Sequence, residues 1–209
     1  MTDSSYARLE RLGRVRLSTH FFFREFLHSE IAQFYGLTNA PGDADLAIAA
    51  GRRLCEELLE PLQETLGRIS IRSGFRSCEV NAIGNKNGHN CATNEKNYGG
   101  HIWDRRDAQG NMGAMACIVI PNFTDHLERG GDWRELAWWI HDSLPYSFLG
   151  FYPTLGAFNI RWSEARLHRI DSYISPKGTL TKPGMANHGG SHADHYTTSP
   201  LFRIDAPID

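Results

Sequence analysis

Ile69-Ser70-Ile71-Arg72-Ser73-Gly74-Phe75-Arg76-Ser77 is the stretch on which the fold turns. The alternation from Ile69 to Arg72 predicts a short strand, and Ser73-Gly74 stops it in a turn. Arg76 follows at once. Its planar fork suits the two oxygens of a carboxylate, so it is a candidate anion anchor. It can equally tie the following loop to the domain, and both roles stand open at this point.

Upstream, the pattern is helical. Ser18-Thr19 followed by His20-Phe21-Phe22-Phe23-Arg24-Glu25-Phe26-Leu27 predicts a helix capped by Thr19 and ended by Gly36, with Phe22, Phe26, Ile31 and Phe34 on one face. Ala40-Pro41-Gly42-Asp43 is a turn. A long helix is expected over residues 43–66, where Ala47, Leu54, Leu58, Leu62 and Leu66 recur near every fourth position and Pro61 disturbs the last turns.

Downstream, residues 81–100 read as a long polar connection rich in Asn and Gly. Met115-Ala116-Cys117-Ile118-Val119-Ile120 reads as a buried strand stopped by Pro121. A helix capped by Asp132 follows over residues 132–143. Three strands are expected over residues 146–152, 157–162 and 167–173. Helices first and strands later favour an α+β fold, with N-terminal helices packed on a mostly antiparallel sheet. The chain of 209 residues fits one domain, with residues 176–209 as an irregular arm.

The balance of 22 Lys and Arg against 24 Asp and Glu gives a formal charge of −2, which disfavours a chain-wide cationic surface for nucleic acid. No run of 18 apolar residues suggests a membrane span. The opening Met1-Thr2-Asp3-Ser4-Ser5-Tyr6 has no apolar signal core, so a cytoplasmic location is expected, or release by another route. Cys55, Cys78, Cys91 and Cys117 form no CxxC pair and read as reduced, although Cys78 and Cys91 flank a polar segment and pairing is left open.

HExxH, GxSxG, Walker and GxGxxG motifs are all missing, so zincin, serine hydrolase, P-loop and dinucleotide readings have no support. Of the 10 histidines, His101 stands out, beside Gly99-Gly100 and before Asp104 and Asp107. Imidazole and carboxylate suit zinc if the loop folds back, with Cys117 as a further donor. His168 sits on a strand candidate and reads either as a ligand or as a histidine packed beside Leu167 and Ile170. His188, His192 and His195 have helical spacing, but Gly189-Gly190 opposes a helix, so they read as metal ligands or as a polar tail.

With these residues in view, the chain resembles the M15 family of zinc D-alanyl-D-alanine peptidases and related phage endolysins, of the hedgehog/DD-peptidase fold. Phe22-Phe23-Arg24-Glu25-Phe26 falls on the family's Phe-x-x-x-Glu-Phe element, and Ser73-Gly74-Phe75-Arg76-Ser77 on Ser-Gly-Tyr-Arg-Ser. His101 falls on the histidine of His-x-x-Gly-x-Ala-x-Asp, with Gly113-Ala114-Met115-Ala116-Cys117 as its remainder after an insertion. Cys117 then stands where the family has its aspartate. Tyr152 stands where the family has its catalytic Glu, and a tyrosine is a poor base near neutrality. Ser172-Tyr173 matches the end of Trp-x-His-x-Ser-Tyr, with Ile170 at the histidine position and His168 two residues away.

The resemblance implies a zinc ion held by His101, Cys117 and His168, with Glu164 or Asp104 accepting a proton from water and Arg76 gripping a substrate carboxylate. The expected function is a divergent metal-dependent hydrolase of a peptide or amide, such as a cell-wall peptide. One alternative is an inactive relative that binds such a peptide or serves a structural role in a phage particle. The other is a metalloenzyme of different chemistry on the same fold.

Overall fold

A computed structural model of the chain describes residues 5–202. Nine α-helices and six strands are found among these residues: α1 (Ser5–Gly13), α2 (Phe23–Leu27), α3 (Glu30–Tyr35), α4 (Ala44–Leu54), α5 (Glu60–Leu66), β1 (Ser70–Ser73), α6 (Cys78–Lys86), α7 (Asn94–Asn97), β2 (Gly113–Val119), α8 (Pro121–Glu128), α9 (Trp133–Ser143), β3 (Phe148–Phe151), β4 (Phe158–Ser163), β5 (Arg169–Ser172) and β6 (Gly178–Thr181). None of the described helices is long and apolar enough to cross a membrane.

The strands form one sheet in the order β1-β2-β4-β3-β5-β6, antiparallel throughout except for the β3–β5 pair. The expected α+β architecture is present. Strand alternation divides the sheet into two faces. Ala114, Ala116 and Ile118 of β2 and Phe158, Ile160 and Trp162 of β4 point to the buried face. There they meet Ala47, Ala50, Leu54 and Leu58 from α4 and the helical turn after it, in one apolar core. Met115, Cys117, Asn159 and Arg161 occupy the other, more open face.

Several sequence expectations are corrected. The helix predicted from Thr19 to Gly36 is two short helices, because Ser29 turns its side chain onto Ala32 N and caps a new start. Asn39 Nδ2 takes the Leu27 carbonyl at 2.9 Å, closing the end of the first piece. Of the predicted apolar face, Phe26 is fully buried while Phe22 and Phe34 are exposed; Phe21 and Phe23 fill the core instead. Gly36 does end α3, with φ +64°. The helix over residues 43–66 starts with Asp43 capping Leu46 N and runs through without a break. Its disturbance is a π-helical turn at Cys55–Leu59, just before Pro61, whose missing N–H removes one rung of the ladder.

Residues 81–100 are not a plain connection but carry most of α6 and all of α7. Their polarity misled because the asparagines are structural. Asn81 is completely buried and accepts from Asn97 Nδ2 at 2.7 Å, while its own Nδ2 donates to Asn94 Oδ1 at 2.9 Å and Ala92 O at 3.0 Å. Pro121 both stops β2 and opens α8, which the sequence pattern did not signal. The arm after residue 176 contributes β6 to the sheet before turning irregular. All four cysteines are free thiols.

Candidate anion-binding site on the open face of the sheet

The loop bearing His101 is pinned to the sheet by backbone approach. Gly113 has no side chain, and a Cβ there would lie 2.3 Å from the Gly99 carbonyl oxygen. That oxygen also accepts from Arg161 Nε at 2.7 Å, and Gly100 O accepts from Met115 N at 3.0 Å. His101 is thereby held at the margin of the open face, with its carbonyl accepting from Arg76 N at 2.8 Å.

The His101 ring is almost fully buried, and its Nδ1 lies 2.7 Å from Gly74 O. A carbonyl only accepts, so Nδ1 carries the proton and Nε2 keeps its lone pair. Burial, reinforced by the Arg76 guanidinium, drives the imidazole pKa down to about 3 against the Gly74 and Asn159 hydrogen bonds, so the ring is neutral.

Strand register sets the next residues. Ser73, Cys117, Asn159 and Gly150 face one another in a row across β1, β2, β4 and β3. Asn159 Nδ2 donates to the Tyr152 hydroxyl at 3.0 Å, and the Tyr152 ring stacks on Tyr173 at 5.3 Å. Cys117 is half-buried; burial raises its thiol pKa, while Arg72 and Arg76 pull the other way. Burial likewise raises the Tyr152 hydroxyl, leaving it a poor proton acceptor.

Arg76 lies at the centre. Nη1 donates to Asn81 Oδ1 at 3.3 Å and to Cys91 Sγ at 3.1 Å, and Nη2 to Ser73 Oγ at 3.4 Å. Burial lowers its pKa while Cys91, Cys117 and Tyr152 pull it up, and none of its side-chain hydrogen-bond partners is a carboxylate. Both roles read from the sequence therefore coexist. Three N–H groups tie α6 and its loop to β1, while Nε–H and one Nη2–H find no partner among the described residues.

The remaining predicted residues lie elsewhere. Asp104 is buried and spends Oδ2 on Gly42 N at 2.7 Å, with Oδ1 unpartnered. Glu164 Oε2 accepts from Met112 N at 2.6 Å and Arg106 Nη1 at 3.1 Å, bracing the 102–112 insertion. His168 has a left-handed backbone, φ +48°, just before β5, and its ring sits against Tyr146 and His141 at 4.8 and 5.6 Å. Ile170, at the resemblance's histidine position, is fully buried.

His101 and Cys117 each bring one donor to this side of the sheet, but no group of three or more His, Cys, Asp or Glu among the described residues is placed to hold a metal ion. The tail histidines form no helical ligand face either. His192 docks on α9, with Nδ1 2.7 Å from Asp142 Oδ1, Nε2 3.0 Å from Asn187 O and its ring stacked on Trp138 at 4.0 Å.

Asn159 and Asn81 are the site residues that the sequence reading missed. Asn159 was detectable, since it interrupts Phe158, Ile160 and Trp162 with a polar side chain at the alternate position. Asn81 carried no such signal. No protein-family model, curated protein or solved structure matches the chain.

Proposed function

We propose that this chain is a DD-peptidase-like binding module that grips the free carboxylate of a peptide through Arg76. The observation that carries the proposal is a half-buried guanidinium whose side-chain partners Asn81, Cys91 and Ser73 include no carboxylate, with two N–H groups unpartnered among the described residues. A partly buried cation without a counter-charge is costly, and an incoming carboxylate relieves that cost. The neutral His101, Asn159 and Tyr152 line the adjoining face as hydrogen-bonding groups for the peptide backbone.

Binding is favoured over hydrolysis by the donor set. Of the carboxylates expected to activate water, Glu164 gives Oε2 to Met112 N and Arg106 Nη1, and Asp104 gives Oδ2 to Gly42 N. The hedgehog/DD-peptidase kinship rests on the motifs at residues 22–26 and 73–77 and on His101 lying beside Arg76.

Calorimetric titration with N-acetyl dipeptides ending in a carboxylate or a carboxamide tests this directly. The acid binds and the amide does not, and Arg76→Lys, which keeps the charge but loses the fork, weakens the acid at least several-fold. Equal affinity for acid and amide refutes the proposal. Peptide cleavage that appears on adding zinc and vanishes in Cys117→Ser restores the hydrolase reading.

A further inference from the structure

Beside Arg76 lies a cleft of about 520 Å³ that the proposed function does not use. Arg72, Ser73 and Arg76 line one part of it, and Ile31, Phe34 and Tyr35 of α3 line another. The aromatic wall is well defined. Phe34 meets Tyr35 edge-to-face at 4.9 Å, and the Tyr35 hydroxyl is 2.9 Å from His89 Nε2, which fixes the Tyr35 ring across the cleft mouth. Phe34 is 80% exposed. A single exposed aromatic means little by itself. Here it forms the lip of a concave space that has two arginines in its lining and Glu30 as its only acid.

Taken with the carboxylate grip, on which this step rests, we infer that the cleft receives the side chain of the ligand's terminal residue and selects a large apolar one, an aromatic above all. The charge in the lining matches the terminal carboxylate, and the α3 wall matches a ring. The volume falls in the range of small-ligand pockets and far exceeds a methyl group. Alanine at the terminus leaves the wall wet, whereas phenylalanine covers Phe34 and meets Tyr35 in the edge or offset geometry that aromatic rings favour. Such a contact is worth roughly three- to tenfold in affinity.

The test uses the full chain and three probes: N-acetyl-Ala-Phe acid, N-acetyl-Ala-Ala acid and N-acetyl-Ala-Phe amide, the terminal residue in both L and D forms. Affinities are read by titration for the wild type and for Phe34→Ala. The substitution is on the surface, and its fold is checked by circular dichroism. The Phe acid should bind at least threefold tighter than the Ala acid, and Phe34→Ala should erase that margin while leaving the Ala acid unchanged. Equal binding of the two acids, or a margin that survives Phe34→Ala, overturns the aromatic selection and leaves the carboxylate grip standing. If neither acid binds better than the amide, the carboxylate grip itself fails, and the selection with it.

Discussion

Acid should unfold this protein partly through His101, and the size of that effect follows from its surroundings. In the folded chain the ring is neutral, with Nδ1–H given to Gly74 O, and its pKa lies at about 3. In the unfolded chain an ordinary histidine titrates near 6.5. The unfolded state therefore takes up the proton first as pH falls. The folded state holds its full advantage above about pH 6.5 and loses it progressively down to about pH 3. At about 1.4 kcal/mol per pH unit, this one group removes roughly 3 kcal/mol between pH 7 and pH 4. Carboxylates also titrate in that window, so the test is a difference. Urea unfolding at pH 7 and pH 4 is compared for wild type and His101→Gln, whose side chain does not titrate. The variant is less stable at pH 7, because it gives up a shaped hydrogen bond, but its loss between the two pH values should be smaller by about 3 kcal/mol. Parallel pH profiles would show that His101 is not a buried neutral ring. So would a long-range nitrogen–proton spectrum showing imidazolium at pH 5.

Other substitutions probe the frame around the site. Asn81→Ala takes the partner from Asn94 Oδ1, Asn97 Nδ2 and the Ala92 carbonyl and one acceptor from Arg76, so chemical denaturation should show a loss of roughly 2–4 kcal/mol and titration a weaker grip on acid peptides. Gly113→Ala places a Cβ against Gly99 O, and with backbone on both sides of the contact it should cost at least about 2 kcal/mol and shift the amide resonances of residues 99–101; an unchanged spectrum would contradict the pinning of that loop. Burial pushes Asp142 up, but the bonds from His192 and Tyr196 prevail and hold it below the usual carboxylate range. The two His192 nitrogens also lie within hydrogen-bond distance of Asp142 Oδ1 and Asn187 O, tying the arm to α9. Asp142→Asn should therefore loosen the arm and speed limited proteolysis around residues 182–192, whereas an unchanged cleavage rate would mean that Trp138 stacking holds the arm alone.

The parts of the fold legible in the sequence were those set by periodicity and local chemistry. The strand at Ser70–Ser73, the Asp132 cap and the succession of strands β2 to β5 along the chain all follow from alternation or capping. The segment around α6 and α7 was illegible because its asparagines act through long-range side-chain bonds, and no composition rule separates a buried amide network from a polar loop. Ser29 split the first predicted helix by capping from within, which is a local signal overridden by the stronger apolar run around it. At the candidate site, Arg76 and His101 stood out in the sequence because they sit next to turns and glycines. His168 was misplaced by a left-handed backbone that strand counting does not anticipate.

The Arg76 Nε–H resonance gives the most direct measurement of the central claim, because that group has no partner among the described residues and is one of the two assigned to the ligand. Titration with N-acetyl-Ala-Phe acid should move it downfield and saturate with the binding isotherm, while the amide should leave it in place. A resonance that stays fixed while the acid binds elsewhere, or that moves equally for acid and amide, would contradict the account.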